Sequence, residues 1–314
     1  MFPISRLGFG AWAVGGAGWE YTGTPARDAE SLAAMRSAVD GGVTWIDTAP
    51  TYGRGHSEEL VGRLCRELGA SRPRVFTKCG RWWDGPDSKP FSDLRPASLR
   101  AFCEASLRRL GIDAIDLLQI HWPGDVNGMP IEESWGAMLR LVEDGLARAV
   151  GVCNFDAALL ERCEAVGHVA TLQTPVSLIV RDALTSGLLD CCGERAIGVL
   201  AYSPMQVGLL TDSFTPERIA ELDHDDWRRT HPEFTSPRLE RNLALRDALV
   251  PIAREHSTTT GAVAVAWVLA QRHVTGAIVG ASAASQVDGW LAAADLRLTY
   301  KDEERIAAAL AGTV

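Results

Sequence analysis

The chain has 314 residues, 46% apolar and 23% charged, an ordinary balance for a globular protein able to bury a substantial core. Its 31 basic and 40 acidic residues leave a net charge of −9, with an isoelectric point near 5.3. That balance weighs against nucleic acid or an anionic membrane as main partner, because both need basic surface. The seven cysteines, at 65, 79, 103, 153, 163, 191 and 192, include no C-x-x-C spacing. Their odd number in a long chain points to a reduced, cytoplasmic compartment rather than a disulfide framework. Met1 to Gly10 lacks the basic-then-apolar layout of a signal peptide, and Ala262–Ala270 is too short to span a bilayer.

Short apolar runs alternate along the chain with segments of helical periodicity, the pattern of repeated β–α units around a parallel sheet. The first candidate strand is Leu7–Gly10. Thr24-Pro25 then supplies an N-cap followed by proline, and Gly41 a left-handed stop, with Leu32, Met35 and Val39 facing inward. After the strand Val43–Asp47, a helix begins at Ser57 with Glu58 and Glu59 in its positive first turn. It ends at Gly69 and turns Leu60, Val61, Leu64 and Leu68 inward. Val75–Lys78 precedes a helix opened by Pro96 and closed by Gly111, with Leu99, Phe102, Leu107 and Leu110 inside. Asp116–His121, Ala149–Val152, Thr171–Gln173, Val199–Tyr202 and Ala277–Gly280 complete eight strands. Helices over Pro130–Gly145, Asp156–Gly167, Leu239–His256 and Gly261–Gln271 fall between them. The expected fold is therefore a (β/α)₈ TIM barrel in a single domain, 1–314. One long irregular stretch, about 205–237, follows a strand's carboxyl end and is placed to cover a ligand.

Parallel strands closed into a barrel bring their carboxyl ends to one rim, where active sites are assembled. Asp47, Tyr52, Lys78 and His121 each stand at or just past such an end. A free phenol titrates near 10, too high for ready acid–base work at neutral pH, and an ammonium close by would lower it. Lys78 is expected to play that part, Asp47 to hold Lys78, and His121 to orient a substrate oxygen. Tryptophans beside strand ends, Trp12, Trp19, Trp82, Trp83 and Trp122, are candidates for an apolar binding pocket. No paired-histidine ligand spacing exists among His56, 121, 168, 224, 231, 256 and 273, so no metal site is expected. There is also no G-x-G-x-x-G fingerprint after a strand.

Five segments occur in a familiar order: Ile46-Asp-Thr-Ala-Pro-Thr-Tyr-Gly53, Thr77-Lys-Cys-Gly80, Asp116-Leu-Leu-Gln-Ile-His-Trp122, Val150-Gly-Val-Cys-Asn-Phe155 and Ala201-Tyr-Ser-Pro204. With them the sequence resembles the aldo-keto reductase superfamily, most closely its bacterial YhdN-like, general-stress branch. The resemblance runs from Leu7 to Asp295. It implies NAD(P)H-dependent reduction of an aldehyde or ketone, with Tyr52 as proton donor, Lys78 and Asp47 tuning it, and His121 orienting the carbonyl. The hydride would come from the reduced nicotinamide. The resemblance also implies a cofactor site. Asn154 and Gln173 would meet the carboxamide beside Trp12, Asp47 and Cys153, and Tyr202 would stack on the ring. Ser203, Pro204, Met205, Gly208 and Leu209 would lie along the pyrophosphate, with Gly280, Ala281, Ser282 and Gln286 at the adenosine end. Trp19, Tyr52, Trp82, His121 and Trp122 would contact a small carbonyl substrate.

Three positions depart from the family pattern. Cys153 stands where serine is usual, Trp290 where asparagine often meets adenine, and Ser282 where a basic residue pairs with the 2′-phosphate of NADP. An arginine fork binds phosphate bidentately, whereas serine offers one neutral donor, so NADP selectivity is expected to be weakened and NAD acceptable. The competing readings are a cofactor-sensing regulatory subunit with slow turnover and, more remotely, a metal-dependent barrel hydrolase. Oligomeric state is left open by the sequence.

Overall fold

The computed structural model describes residues 3–15, 27–83, 85, 90–124, 127–222, 224 and 226–312. Eight parallel strands close into a barrel: β1 (Leu7–Gly10), β2 (Trp45–Asp47), β3 (Arg74–Cys79), β6 (Leu117–Ile120), β7 (Val150–Cys153), β8 (Thr171–Pro175), β9 (Gly198–Tyr202) and β10 (Val274–Gly280). Two further strands, β4 (Arg81–Trp82) and β5 (Phe91–Ser92), form a separate antiparallel ribbon after β3. The helices that cover the barrel include α1 (Asp28–Asp40), α2 (His56–Leu68), α3 (Pro96–Leu110), α4 (Ile131–Glu143) and α5 (Ala157–Glu164). After the short α6 (Asp182–Thr185), α7 (Leu188–Glu194) and α8 (Glu217–Ala220) come α9 (Arg238–Glu255), α10 (Thr260–Ala270), α11 (Ala284–Leu291) and α12 (Tyr300–Gly312).

The barrel strands are buried on both faces, which is why they read as apolar runs rather than alternations. Their inward positions explain the floor beneath the rim. Trp45 lies inside the barrel, stacked on Phe76 with ring centres 4.8 Å apart, among Leu117, Leu200 and Ile278. Gly8 makes room for it: a β-carbon there would come within 2.3 Å of the indole. The interior is thus filled by side chains, and the cavity opens at the carboxyl-terminal ends of the strands.

Two expectations need correction here. The left-handed residue after α1 is Gly42, with φ 93°, while Gly41 has φ −78° and is needed small because Leu291 packs against it. The stretch 205–237 is not irregular throughout. It contains α8 and two single-turn 3₁₀ helices, Trp227–Arg229 and Pro232–Phe234, and Leu209, Phe214 and Phe234 form a small apolar cluster of their own. The proposed helix start at Thr24-Pro25 lies outside the described residues.

Candidate active site

β2 ends at Asp47, and the chain turns through Thr48 into a 3₁₀ turn at Tyr52–Gly55. The Thr48 hydroxyl lies 2.8 Å from that of Ser57, which in turn donates to the Ala11 carbonyl at 2.9 Å, tying the turn to the loop after β1. Gly53 sits at φ 60° against Gly15, where any β-carbon would collide with the carbonyl oxygen. These local constraints aim Tyr52 back over the barrel mouth.

Lys78 enters from β3 and is wholly buried. Its ammonium donates to Asp47 Oδ2 at 2.6 Å, to the Thr48 carbonyl at 3.0 Å and to the Tyr52 hydroxyl at 3.1 Å. Gln173 Nε2 donates to the other Asp47 oxygen at 2.8 Å. The His121 ring meets Tyr52 edge to face, with centres 6.0 Å apart. Five residues from four strand ends, those of β2, β3, β6 and β8, therefore share one site, with Asp47 as the anchor of a charged network whose hydrogen bonds are met from both sides.

Burial works to lower the proton affinity of Lys78, yet the charges of Asp47 and Tyr52 outweigh it and raise it above the ordinary lysine range. Burial pushes the Tyr52 phenol up to about 12, and Lys78 offsets only part of that rise. A net lowering below the free phenol was the expectation from sequence. The desolvation that reverses it depends on depth, which no motif reports. At neutral pH the phenol consequently carries its proton. His121, desolvated and close to Lys78 and Arg81, is held well below the usual imidazole range, so its ring is neutral there. Its Nδ1 is buried without a hydrogen-bond partner.

A cavity of about 1400 Å³ opens above this network. Its walls include Trp12, Asp47, Tyr52, His121, Trp122, Asn154, Gln173 and Tyr202, together with Ser203, Pro204, Met205 and Gly208 from the segment after β9. Gly280, Ala281, Ser282, Gln286 and Trp290 line its far end. Asn154 donates to the His121 carbonyl at 3.1 Å and accepts from the Tyr202 hydroxyl at 2.9 Å, joining the ends of β6, β7 and β9. Ser203, Gln206, Val207 and Gly208 all have positive φ, 47–90°. A β-branched residue such as Val207 adopts that conformation only when its surroundings impose it, a form of strain concentrated at ligand sites.

Three predicted site residues fall elsewhere. Cys153 and Leu209 are buried behind the wall, the latter in the Phe214–Phe234 cluster. Trp82 faces away from the cavity and stacks on Phe102 at 5.0 Å. Trp19 lies outside the described residues. Conversely, Arg27, Arg81, Asp212 and Trp227 line the cavity without having been singled out. The signal that could have found Arg81 is its place just past the carboxyl end of β3, where rim residues gather. Among the described residues, no group of three or more His, Cys, Asp or Glu side chains could hold a metal ion. No helix there is long and apolar enough to cross a membrane.

Comparison with known proteins gives a consistent picture. The profile of the Aldo/keto reductase family matches residues 6–311. Aldo-keto reductase YhdN of Bacillus subtilis is 34% identical over 99% of this chain and 91% of its own length. The NADH-specific methylglyoxal reductase of Escherichia coli is 31% identical over 95% of this chain and 92% of its own. Among solved structures, the glycerol dehydrogenase AKR11B4 from Gluconobacter oxydans superposes with a TM-score of 0.90 at 38% identity, covering 100% of this chain and 93% of that one. An aldo-keto reductase from Klebsiella pneumoniae in complex with NADPH gives 0.72 at 28%, covering 97% and 90%.

Proposed function

Because the chain belongs to the aldo/keto reductase family and is an NAD(P)H-dependent oxidoreductase, we propose that it reduces an aldehyde or ketone with Tyr52 as general acid. The observation that carries this reading is the Lys78 ammonium, 2.6 Å from Asp47 and 3.1 Å from the Tyr52 hydroxyl at the base of a large cavity. When bound, the reduced nicotinamide supplies the hydride; the chain's own groups manage the developing charge on oxygen. Tyr52 gives its proton to that oxygen, and the adjacent ammonium stabilises the phenolate left behind. A neutral His121 can donate one hydrogen bond to the same oxygen and so set its approach. Asp47, fixed by Gln173, keeps Lys78 in place between turns of the cycle.

The cavity is larger than a drug-sized pocket, roughly 300–1,000 Å³, and has room for a dinucleotide together with a small substrate. The strained backbone over Ser203–Gly208 suits close approach to a pyrophosphate, and successive amides in such a turn favour anions. Asn154, Gln173 and Tyr202 stand where the nicotinamide end would rest. At the adenosine end the Ser282 amide and hydroxyl both bond Gln286 Oε1, at 2.8 and 3.2 Å. No arginine stands in that turn. The acids Asp212, Glu221 and Asp226 line the cavity together with Arg218 and Arg228, the latter bonded to Asp226 at 2.6 Å. This arrangement supports acceptance of NADH alongside NADPH.

Turnover of 4-nitrobenzaldehyde, followed by loss of reduced-nicotinamide absorbance with each coenzyme, tests the reading. Alcohol formed in step with coenzyme consumed is expected. Tight coenzyme binding with no turnover of any carbonyl compound would instead favour a sensing role. A preference for NADPH above about a hundredfold, roughly 2.7 kcal/mol, would remove the NADH part.

A further inference from the structure

The first turn of α2 holds a carboxylate that proton transfer does not touch. Glu58 is fully buried, a state carboxylates reach only when paired. Its Oε1 accepts from the Thr77 hydroxyl and its Oε2 from Arg109 Nε, each at 2.6 Å. Arg109, in the last turn of α3, also donates to the Ser106 hydroxyl at 3.2 Å and lies 6.0 Å from the centre of the Trp82 ring. Both carboxylate oxygens are therefore pinned, one by the barrel and one by the neighbouring helix. Glu58, Thr77 and Arg109 all stand outside the cavity lining.

The position of Thr77 gives this pair its interest. Thr77 and Lys78 are successive residues of β3, so the pleat turns them to opposite faces. Lys78 points inward to donate to the Tyr52 hydroxyl at 3.1 Å, while Thr77 points outward to Glu58. Glu58 itself follows Tyr52 through the turn that opens α2. The same two segments are thus joined twice, and the two hydrogen bonds close a ring through the backbone between them. Within that ring Gly53, Arg54 and Gly55 have positive φ of 60°, 55° and 98°. A side-chain-bearing residue such as Arg54 keeps that conformation only where its surroundings hold it.

We propose that Glu58 is a positioning residue for proton transfer: holding Thr77 on one oxygen and Arg109 on the other, it sets the separation between the Tyr52 hydroxyl and the Lys78 ammonium. The inference rests on the reductase reading given above and extends it to a residue that touches neither coenzyme nor substrate. The attraction between an ammonium and a phenolate falls with distance, and a misplacement of about 1 Å can cost about 10²-fold in rate. A buried ion pair adds little net stability over an apolar pair of the same shape, so what this one contributes is geometry.

A double-mutant cycle of Thr77→Val and Tyr52→Phe tests this in single-turnover reduction of 4-nitrobenzaldehyde at saturating coenzyme. The amplitude counts the folded molecules, so the rate is independent of yield. Thr77→Val keeps the shape of the side chain and removes the hydroxyl that Glu58 holds. With Tyr52 present it should slow the reaction about tenfold or more, with an unchanged coenzyme dissociation constant. In Tyr52→Phe, which has no phenol to position, the same change should cost less than about twofold. Thr77→Ser keeps the hydroxyl and should run near the wild-type rate. If Thr77→Val yields no folded enzyme, Glu58→Gln runs through the same cycle. It retains an acceptor for Thr77 but loses the charge that binds Arg109, and should likewise slow only the chain that has the phenol. Equal slowing with and without Tyr52, or no slowing at all, would overturn the role of Glu58. The reductase reading survives either result so long as Tyr52→Phe alone is slow. A Tyr52→Phe variant at the wild-type rate, or a wild type that reduces no aldehyde with NADH or NADPH, ends that reading and this one together.

Discussion

At the amino-terminal rim of the barrel, Asp116 is buried and ringed by arginines: Arg72 at 2.9 Å, Arg148 at 3.4 Å and Arg74 at 3.5 Å, with the Val75 amide at 2.9 Å. At the opposite rim Asp47 is buried to a similar degree and held by Lys78 and Gln173. Both are carboxylates fixed by cations and amide donors. They differ in what lies beyond the cation. Past the arginines there is solvent, whereas past Lys78 there is a protonated phenol, a neutral imidazole and a cavity of about 1400 Å³. A buried ion pair is thus weak as a sign of function by itself. It becomes one when the cation has a third partner that can exchange a proton with a ligand.

The sharpest way to break this contrast is to remove one cation. Lys78→Met leaves Asp47 buried with only Gln173, so it should cost about 3–5 kcal/mol of unfolding free energy, read by chemical denaturation, and abolish measurable turnover. A fully stable variant would show that the charged network is dispensable to the fold. Asp116→Ala should act on one axis alone. Its arginine partners reach solvent and the buried Val75 amide loses one acceptor, so the loss should be about 1–3 kcal/mol, while kcat/KM stays at the wild-type value. Reduced kcat/KM in that variant would mean that the lower rim communicates with the upper one.

Smaller effects sharpen the same comparison. Ser282→Arg adds a fork at the adenosine end and should tighten NADPH binding about tenfold with NADH little changed, measured by fluorescence titration. Unaltered coenzyme selectivity would place the 2′-phosphate somewhere other than the turn after β10. His121 binds its proton more weakly folded than unfolded, so the stability it contributes is present above pH 6.5 and lost as pH falls below it. Unfolding free energy should therefore decline more steeply below pH 6.5 in the wild type than in His121→Gln. Parallel declines would indicate that the imidazole is better solvated than its surroundings imply.

What the sequence makes legible follows from where each signal resides. Strands buried on both faces are mostly apolar, so all eight can be read as short runs, and the closing Gly111 of α3 adopts the left-handed conformation expected of it. Strand ends are equally visible, which is why Asp47, Lys78 and His121 can be picked out before any coordinates. The ribbon of β4 and β5 is invisible because two-residue strands have no periodicity to detect. Trp82 was accordingly favoured over Arg81 as a pocket residue on chemical type alone. For Tyr52 the cation that lowers proton affinity is evident from motif order, but the burial that outweighs it is a property of the assembled fold. Gly42 rather than Gly41 takes the positive φ, and Gly41 stays small because Leu291, about 250 residues away in sequence, packs beside it.

The account turns on Tyr52 being the proton donor, and single-turnover reduction of an aldehyde by Tyr52→Phe at saturating coenzyme probes that directly. The substitution deletes one hydroxyl and leaves the coenzyme wall in place, so the rate should fall about 10²–10⁴-fold with an unchanged coenzyme dissociation constant. A variant that transfers hydride and releases alcohol at the wild-type rate would contradict the assignment outright.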